Sequence, residues 1–198
     1  MPGLERFNGA PVTLILIAVN VLIFLAETAA GGSENTDVAL KFGAQYTPMV
    51  RDAKQYYRMF LAMFLHFGVM HILFNMYALY NIGPTIERIF GSGRFLAIYL
   101  GAGICGNLLT YYVEMHTENY RISAGASGAV FGLMGAYLVL ALMPKLREYF
   151  SLTNILINIG INVLYGFRNR SINMVAHLGG LIGGAVISYI ILLLLKAV

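Results

Sequence analysis

Six apolar stretches, at roughly 11–30, 68–89, 93–113, 127–143, 152–167 and 173–195, run through the 198-residue chain, and each is near the ~20 residues a helix needs to cross a hydrocarbon core. Backbone in lipid must satisfy its own polar groups, so runs of this length predict helices, and six of them predict an all-α integral membrane bundle. Composition agrees: 59% of residues are hydrophobic and only 11% are charged, where soluble domains carry about 25% charged residues. Apart from a long mixed loop over about 31–57, the connections are short. No repeat or low-complexity tract divides residues 1–198, which read as a single six-helix membrane domain.

Several function classes fall away on residue content. The 13 Lys and Arg outnumber the 9 Asp and Glu, yet they are scattered between apolar runs and form no basic stripe for nucleic acid. Cys105, the single cysteine, lies inside the third stretch; it excludes an internal disulfide and reads as a small buried hydrophobe. No His-Glu-x-x-His zinc motif occurs, and both aspartates, Asp37 and Asp52, sit in the first loop. Neither a metal centre nor an aspartyl centre is therefore expected, and no cofactor is implied. Glu27 and Glu87 read as the only carboxylates in or beside a span. Arg6 ahead of the first stretch, with Ala26 and Ala29 at its end, also fits a signal peptide, but removal would leave five spans, so the stretch is read as a helix. For orientation, Arg6, Arg88, Arg94, Lys145, Arg147 and Lys196 fall on the amino-terminal side. The opposite side carries Lys41, Arg51, Lys54 and Arg58 in the long loop, then Arg121, Arg168 and Arg170. The short loops favour a cytoplasmic amino terminus, as in a bacterial inner-membrane protein.

Polar side chains inside spans are costly and mark functional candidates. His71, Ser127 and His177 stand out, each near the start of an even-numbered stretch. Alternate stretches run in the same direction, so all three begin on one membrane face whichever way the chain inserts. Arg88, Lys145 and Lys196 mark the far interface 17, 18 and 19 residues further on. At 1.5 Å per residue the three side chains lie about 25–29 Å from that interface, at one level just inside a core about 30 Å thick.

Ser127 sits in Gly125-Ala126-Ser127-Gly128, small residues that open into a helix whose first N–H groups suit a developing oxyanion. A capping serine in a small-residue packing motif would have the same pattern. His177 adds to the case, because Gly180 and Gly184 follow on its helical face and match Gly128, Gly132 and Gly135 on the fourth stretch. Two glycine faces can approach until imidazole and hydroxyl share a hydrogen bond, the geometry that activates a serine. His71 and Asn75, four apart, put two donors on one face, which suits an oxyanion hole; an interhelical polar contact fits Asn75 as well. Glu87 lies towards the wrong interface to orient His177, so a dyad without a third acid is expected.

In chain order these pieces resemble the rhomboid family of intramembrane serine proteases. They are Tyr57-Arg58, the His66 to Asn75 stretch, Glu87-Arg88 with Gly91-Ser92-Gly93, Gly125-Ala126-Ser127-Gly128, and Ala176-His177 with Gly180 and Gly184. The resemblance implies a compact six-helix bundle with Ser127 as nucleophile, His177 as general base, and an oxyanion hole from the Ser127 N–H, His71 and Asn75, with His66 nearby. Substrates would be membrane-spanning helices of other proteins, reached sideways from the lipid bilayer past the fifth stretch. There Asn154, Asn158 and Asn162 form a polar stripe, read either as helix packing or as part of that gate. Two positions depart from the pattern: Phe131 stands where many members carry a tyrosine against the base, and Tyr57 replaces a frequent tryptophan. The alternative is a non-catalytic relative that binds or escorts membrane proteins; such relatives lose the serine or the histidine, and both are present here. A transporter is disfavoured, since the chain shows no inverted repeat or pair of broken segments.

Overall fold

Proline at the first turn, where a backbone N–H has no intrahelical partner, opens the first long helix, α1 (Pro11–Ala29). The long loop after it carries structure of its own: α2 (Thr36–Phe42), α3 (Thr47–Arg51), α4 (Arg58–Leu61) and a 3-10 turn over Ala62–Phe64. Asn35 caps α2 by accepting from Asp37 N, and Gly43 ends it in the left-handed conformation at φ 103. Then come α5 (Val69–Phe90), α6 (Ser92–Thr117), α7 (Ser127–Leu142), α8 (Leu152–Arg168) and α9 (Met174–Leu194). This computed structural model describes residues 7–144, 146–168 and 172–196, with the backbone alone at 165, 167 and 168. Arg6, Lys145 and Arg170, used in the interface and charge arguments, lie outside the described residues.

The six long helices coincide with the six apolar stretches to within a few residues, with one consequential exception. α6 runs on to Thr117, so Glu114 lies inside a spanning helix. It is buried and accepts from Thr47 Oγ1 at 2.6 Å and Arg121 N at 3.2 Å. Glu27 and Glu87 are therefore not the only carboxylates in the spans; Glu114 fastens α3 and the α6–α7 connection to the end of α6. Arg58 is likewise internal: it donates to Leu40 O at 2.8 Å, Ala44 O at 2.9 Å and Gln55 Oε1 at 2.6 Å. It braces the first loop and does not act as an interfacial charge. Cys105 is half-buried rather than buried, packed against Gly183 of α9.

Helices α6, α7 and α9 form the packed centre, α1 and α5 pair on one flank, and α8 lies mainly against α7. The core between them includes Phe95, Ile98, Tyr99, Leu133 and Leu140. By length and composition α1, α6 and α9 can each cross a membrane, and residues 58–64 with α5 are long and apolar enough together, with a bend of 89° between them. At 16 residues α7 is shorter. It measures about 24 Å against a core of about 30 Å, so at least one of its ends lies within the slab.

Candidate active site

Ser127 is the first residue of α7 and is half-buried. The segment leading to it is pinned at three points. Ser123 and Gln45 exchange two backbone hydrogen bonds, at 2.9 and 2.8 Å, Gly125 N donates to Ala62 O at 2.9 Å, and Ala126 N donates to His66 Nε2 at 3.4 Å. Gly125 holds φ 138, where side chains are strained. A Cβ built on it would lie 2.8 Å from His71 Cε1 and Nε2 and 3.7 Å from Ser127 Oγ. Glycine at 125 therefore makes the space in which the His71 ring sits beside the Ser127 hydroxyl.

His71 occupies the first turn of α5. Phe67 N donates to its Nδ1 at 3.2 Å, so a neutral ring carries its proton on Nε2, the nitrogen beside Gly125. Asn75, one turn on and buried, spends one N–H on His71 O at 2.9 Å and keeps the other. His66 lies edge-on to His71 with ring centroids 5.1 Å apart.

His177 arrives on α9, which Asn173 caps: its Oδ1 accepts from Ala176 N at 3.0 Å. The same side chain donates to Ser123 Oγ at 2.9 Å and Thr110 Oγ1 at 3.1 Å. One residue thus ties the start of the His177 helix to the loop before Ser127 and to α6. The imidazole stacks on Phe131, one turn along α7 from Ser127, at 4.1 Å and 16°. Its Nδ1 is buried with no hydrogen-bond partner among the described residues. Glycine sets the approach of α7 to α9. A Cβ on Gly180 would strike the Gly128 carbonyl and lie 2.7 Å from its carbon, and one on Gly184 would strike Gly132. A Cβ on Gly106 of α6 would lie 2.6 Å from Ala176 O.

The close glycine contact read from the sequence is present, but the hydrogen bond expected across it is not: among the described residues none joins Ser127 to His177. Such bonds are commonly long without substrate and tighten when it docks.

A family model described as Rhomboid domain matches residues 53–194. The chain belongs to the rhomboid family. It is 40% identical over 179 residues to rhomboid protease GluP of Bacillus subtilis (strain 168), covering 89% of this chain and 34% of that one. It is 34% identical over 157 residues to RHOMBOID-like protein 5 of Arabidopsis thaliana, covering 77% of this chain and 49% of that one. It is 30% identical over 181 residues to Rhomboid-like protease 2 of Toxoplasma gondii, covering 86% of this chain and 62% of that one. The chain thus spans about a third of GluP and about half of the plant relative.

In this rhomboid Glu87 is remote in role from His177. It accepts from Val12 N at 2.8 Å and from Thr13 N, Thr13 Oγ1 and Ser92 Oγ at 2.7 Å each, so it caps the start of α1. On α8, Asn158 and Asn162 each donate to the carbonyl four residues back at 2.8 Å, and Asn154 and Asn158 are exposed. These two asparagines therefore do not pack against neighbouring helices. No cluster of three or more metal-ligating side chains occurs among the described residues. Asn173 was missed from sequence, although an asparagine directly before an apolar run is a helix-start signal. The contact of Glu27 with His66 N, at 3.2 Å, was also missed, and it has no local signal.

Proposed function

We propose that this rhomboid is an intramembrane serine endopeptidase that cuts membrane-spanning helices of other proteins. Ser127 attacks the scissile carbonyl while His177 takes the hydroxyl proton and later hands it to the leaving amine. Water then hydrolyses the acyl-enzyme with His177 again as base. With Nδ1 turned into the protein, Nε2 is the nitrogen available to Ser127. The oxyanion meets the Ser127 N–H, the His71 Nε2–H and the remaining Asn75 N–H. The observation that carries this reading is the convergence on one spot of the His71 ring and Ser127 Oγ around Gly125, with His177 held on Phe131 one turn away.

The shortness of α7 supports a site within the slab. Substrate enters from lipid beside α8, which is held mainly through α7. The amino terminus is cytoplasmic, in a bacterial inner membrane, so the site opens towards the opposite face; residues 1–198 act as one catalytic unit. The test is incubation of purified protein with a labelled single-span substrate. The parent cleaves it, and Ser127→Ala and His177→Ala each lose about 1000-fold or more. Equal cleavage by all three would end the proteolytic reading in favour of an escort role.

A further inference from the structure

We infer that Glu27 is a positioning residue for the oxyanion side of the site, acting through the backbone of His66; the inference rests on the proteolytic reading above. Glu27 sits near the end of α1 with 1% of its surface exposed. One carboxyl oxygen accepts from His66 N at 3.2 Å and the other has no partner among the described residues. A half-satisfied carboxyl inside a membrane bundle is costly. Glu87 and Glu114 differ, for both oxygens of each accept hydrogen bonds. Glu27 therefore calls for an explanation other than helix capping.

What it holds is the turn His66-Phe67-Gly68, and that turn feeds both parts of the oxyanion side. The next N–H, that of Phe67, donates to His71 Nδ1 and keeps the proton on the nitrogen beside Ser127. The His66 imidazole, wholly buried, receives the N–H of Ala126, the residue directly before the nucleophile. Gly68 closes the turn at φ 85 as the residue before α5, and its carbonyl accepts from Ile72 N at 3.3 Å, so the turn leads directly into the helix that carries His71. If the acceptor at 27 is lost, the His66 N–H is freed, and the Phe67 donor and the His66 ring move with it. Turnover then falls while substrate affinity holds, because Glu27 is shielded from any substrate.

Three variants separate this from a structural role. Glu27→Gln keeps an acceptor at the same reach, Glu27→Asp keeps the carboxyl but withdraws it by a methylene, and Glu27→Leu removes it. On the single-span substrate, Gln should keep kcat within about threefold of the parent, while Asp and Leu lose about tenfold or more with KM within about twofold. Leu leaves the His66 N–H unpaired and should lower the unfolding midpoint while still folding; if Leu fails to fold, Asp against Gln decides. Parent-like kcat in Asp, or a loss confined to KM, overturns the inference. Imidazole 15N spectra report the same geometry whether or not the protein cleaves anything. His71 should be a single Nε2–H tautomer in the parent and Gln variant and exchange between tautomers in Asp and Leu. An unchanged His71 in Asp overturns the inference with proteolysis intact. A parent no faster than Ser127→Ala removes the proteolytic reading, and the spectra still decide whether Glu27 holds His71.

Discussion

Replacing Gly180 by alanine should disable catalysis and leave the bundle folded. The added Cβ runs into the Gly128 carbonyl, 2.7 Å from its carbon and 3.1 Å from Gly128 Cα. These atoms are backbone of α7, so no rotamer change relieves the contact. Ordinary van der Waals contact begins at 3.4 Å, so α9 must retreat by 0.7 Å or more at the carbonyl carbon. His177 lies three residues earlier on α9 and Ser127 directly precedes Gly128, so the proposed base and nucleophile separate by a similar distance. Overpacking costs about 1–3 kcal/mol, which a domain with about 5–15 kcal/mol of stability survives. A misplacement of about 1 Å between reacting groups costs about 100-fold in rate, or about 2.7 kcal/mol of barrier. The measurements are kcat on a labelled single-span substrate and the thermal unfolding midpoint in detergent. Gly93→Ala is the control, for a Cβ there meets nothing within 4 Å. Gly180→Ala within about threefold of the parent kcat, at an intact fold, would refute the claim that glycine sets the Ser–His distance.

Two further substitutions probe the supports. Asn173→Ala removes the cap of α9, costing about 1 kcal/mol, and frees Ser123 and Thr110, so both the unfolding midpoint and kcat fall. Asn173→Asp restores the cap acceptor but not the two donors, so it should recover stability and leave kcat depressed; full recovery of kcat would contradict the tie to the Ser127 loop. Glu87→Ala strips four donors of their acceptor and should cost about 3 kcal/mol or more in thermal unfolding, with kcat per folded molecule unchanged. An unfolding midpoint equal to the parent's would show that α1 is held by something else.

The helices and the dyad candidates were legible because lipid leaves a chain few choices. A run of about 20 apolar residues has helix as its only open solution, and a histidine or serine inside such a run is conspicuous. What escaped was set by partners far away in sequence. Glu114 reads locally as the charged end of a span, and its burial depends on Thr47, 67 residues earlier. Glu27 was visible as a carboxylate in a span, but its bond to His66 N crosses 39 residues. The stripe of Asn154, Asn158 and Asn162 read by spacing either as helix packing or as part of a gate. Spacing does not say which face of α8 meets a neighbour, and an asparagine amide can satisfy itself on its own helix.

The buried face of α1 shows how such long-range partners are organised. Its buried residues are Thr13, Leu16, Asn20 and Glu27, and the three polar ones recur every seven residues, two turns apart on one stripe. Thr13 meets Glu87. Asn20 Oδ1 and the Tyr99 hydroxyl are both buried without a partner in strict hydrogen-bonding geometry among the described residues, yet the Asn20 side chain lies close enough to Tyr99 to interact. Glu27 meets His66. Between helices in lipid, apolar burial gives no drive to associate, so packing and polar contacts of this kind hold α1. Sliding α1 by one turn, about 5.4 Å, would break all three contacts together, so the stripe sets a register. Anchors at Thr13 and Asn20 therefore fix the height at which Glu27 reaches the His66 turn, and of the three contacts only the last is to a residue, His66, that is itself bonded to the segment before Ser127. A residue at either of the first two positions acts on the stability of the bundle, whereas the third acts on the aim of His71.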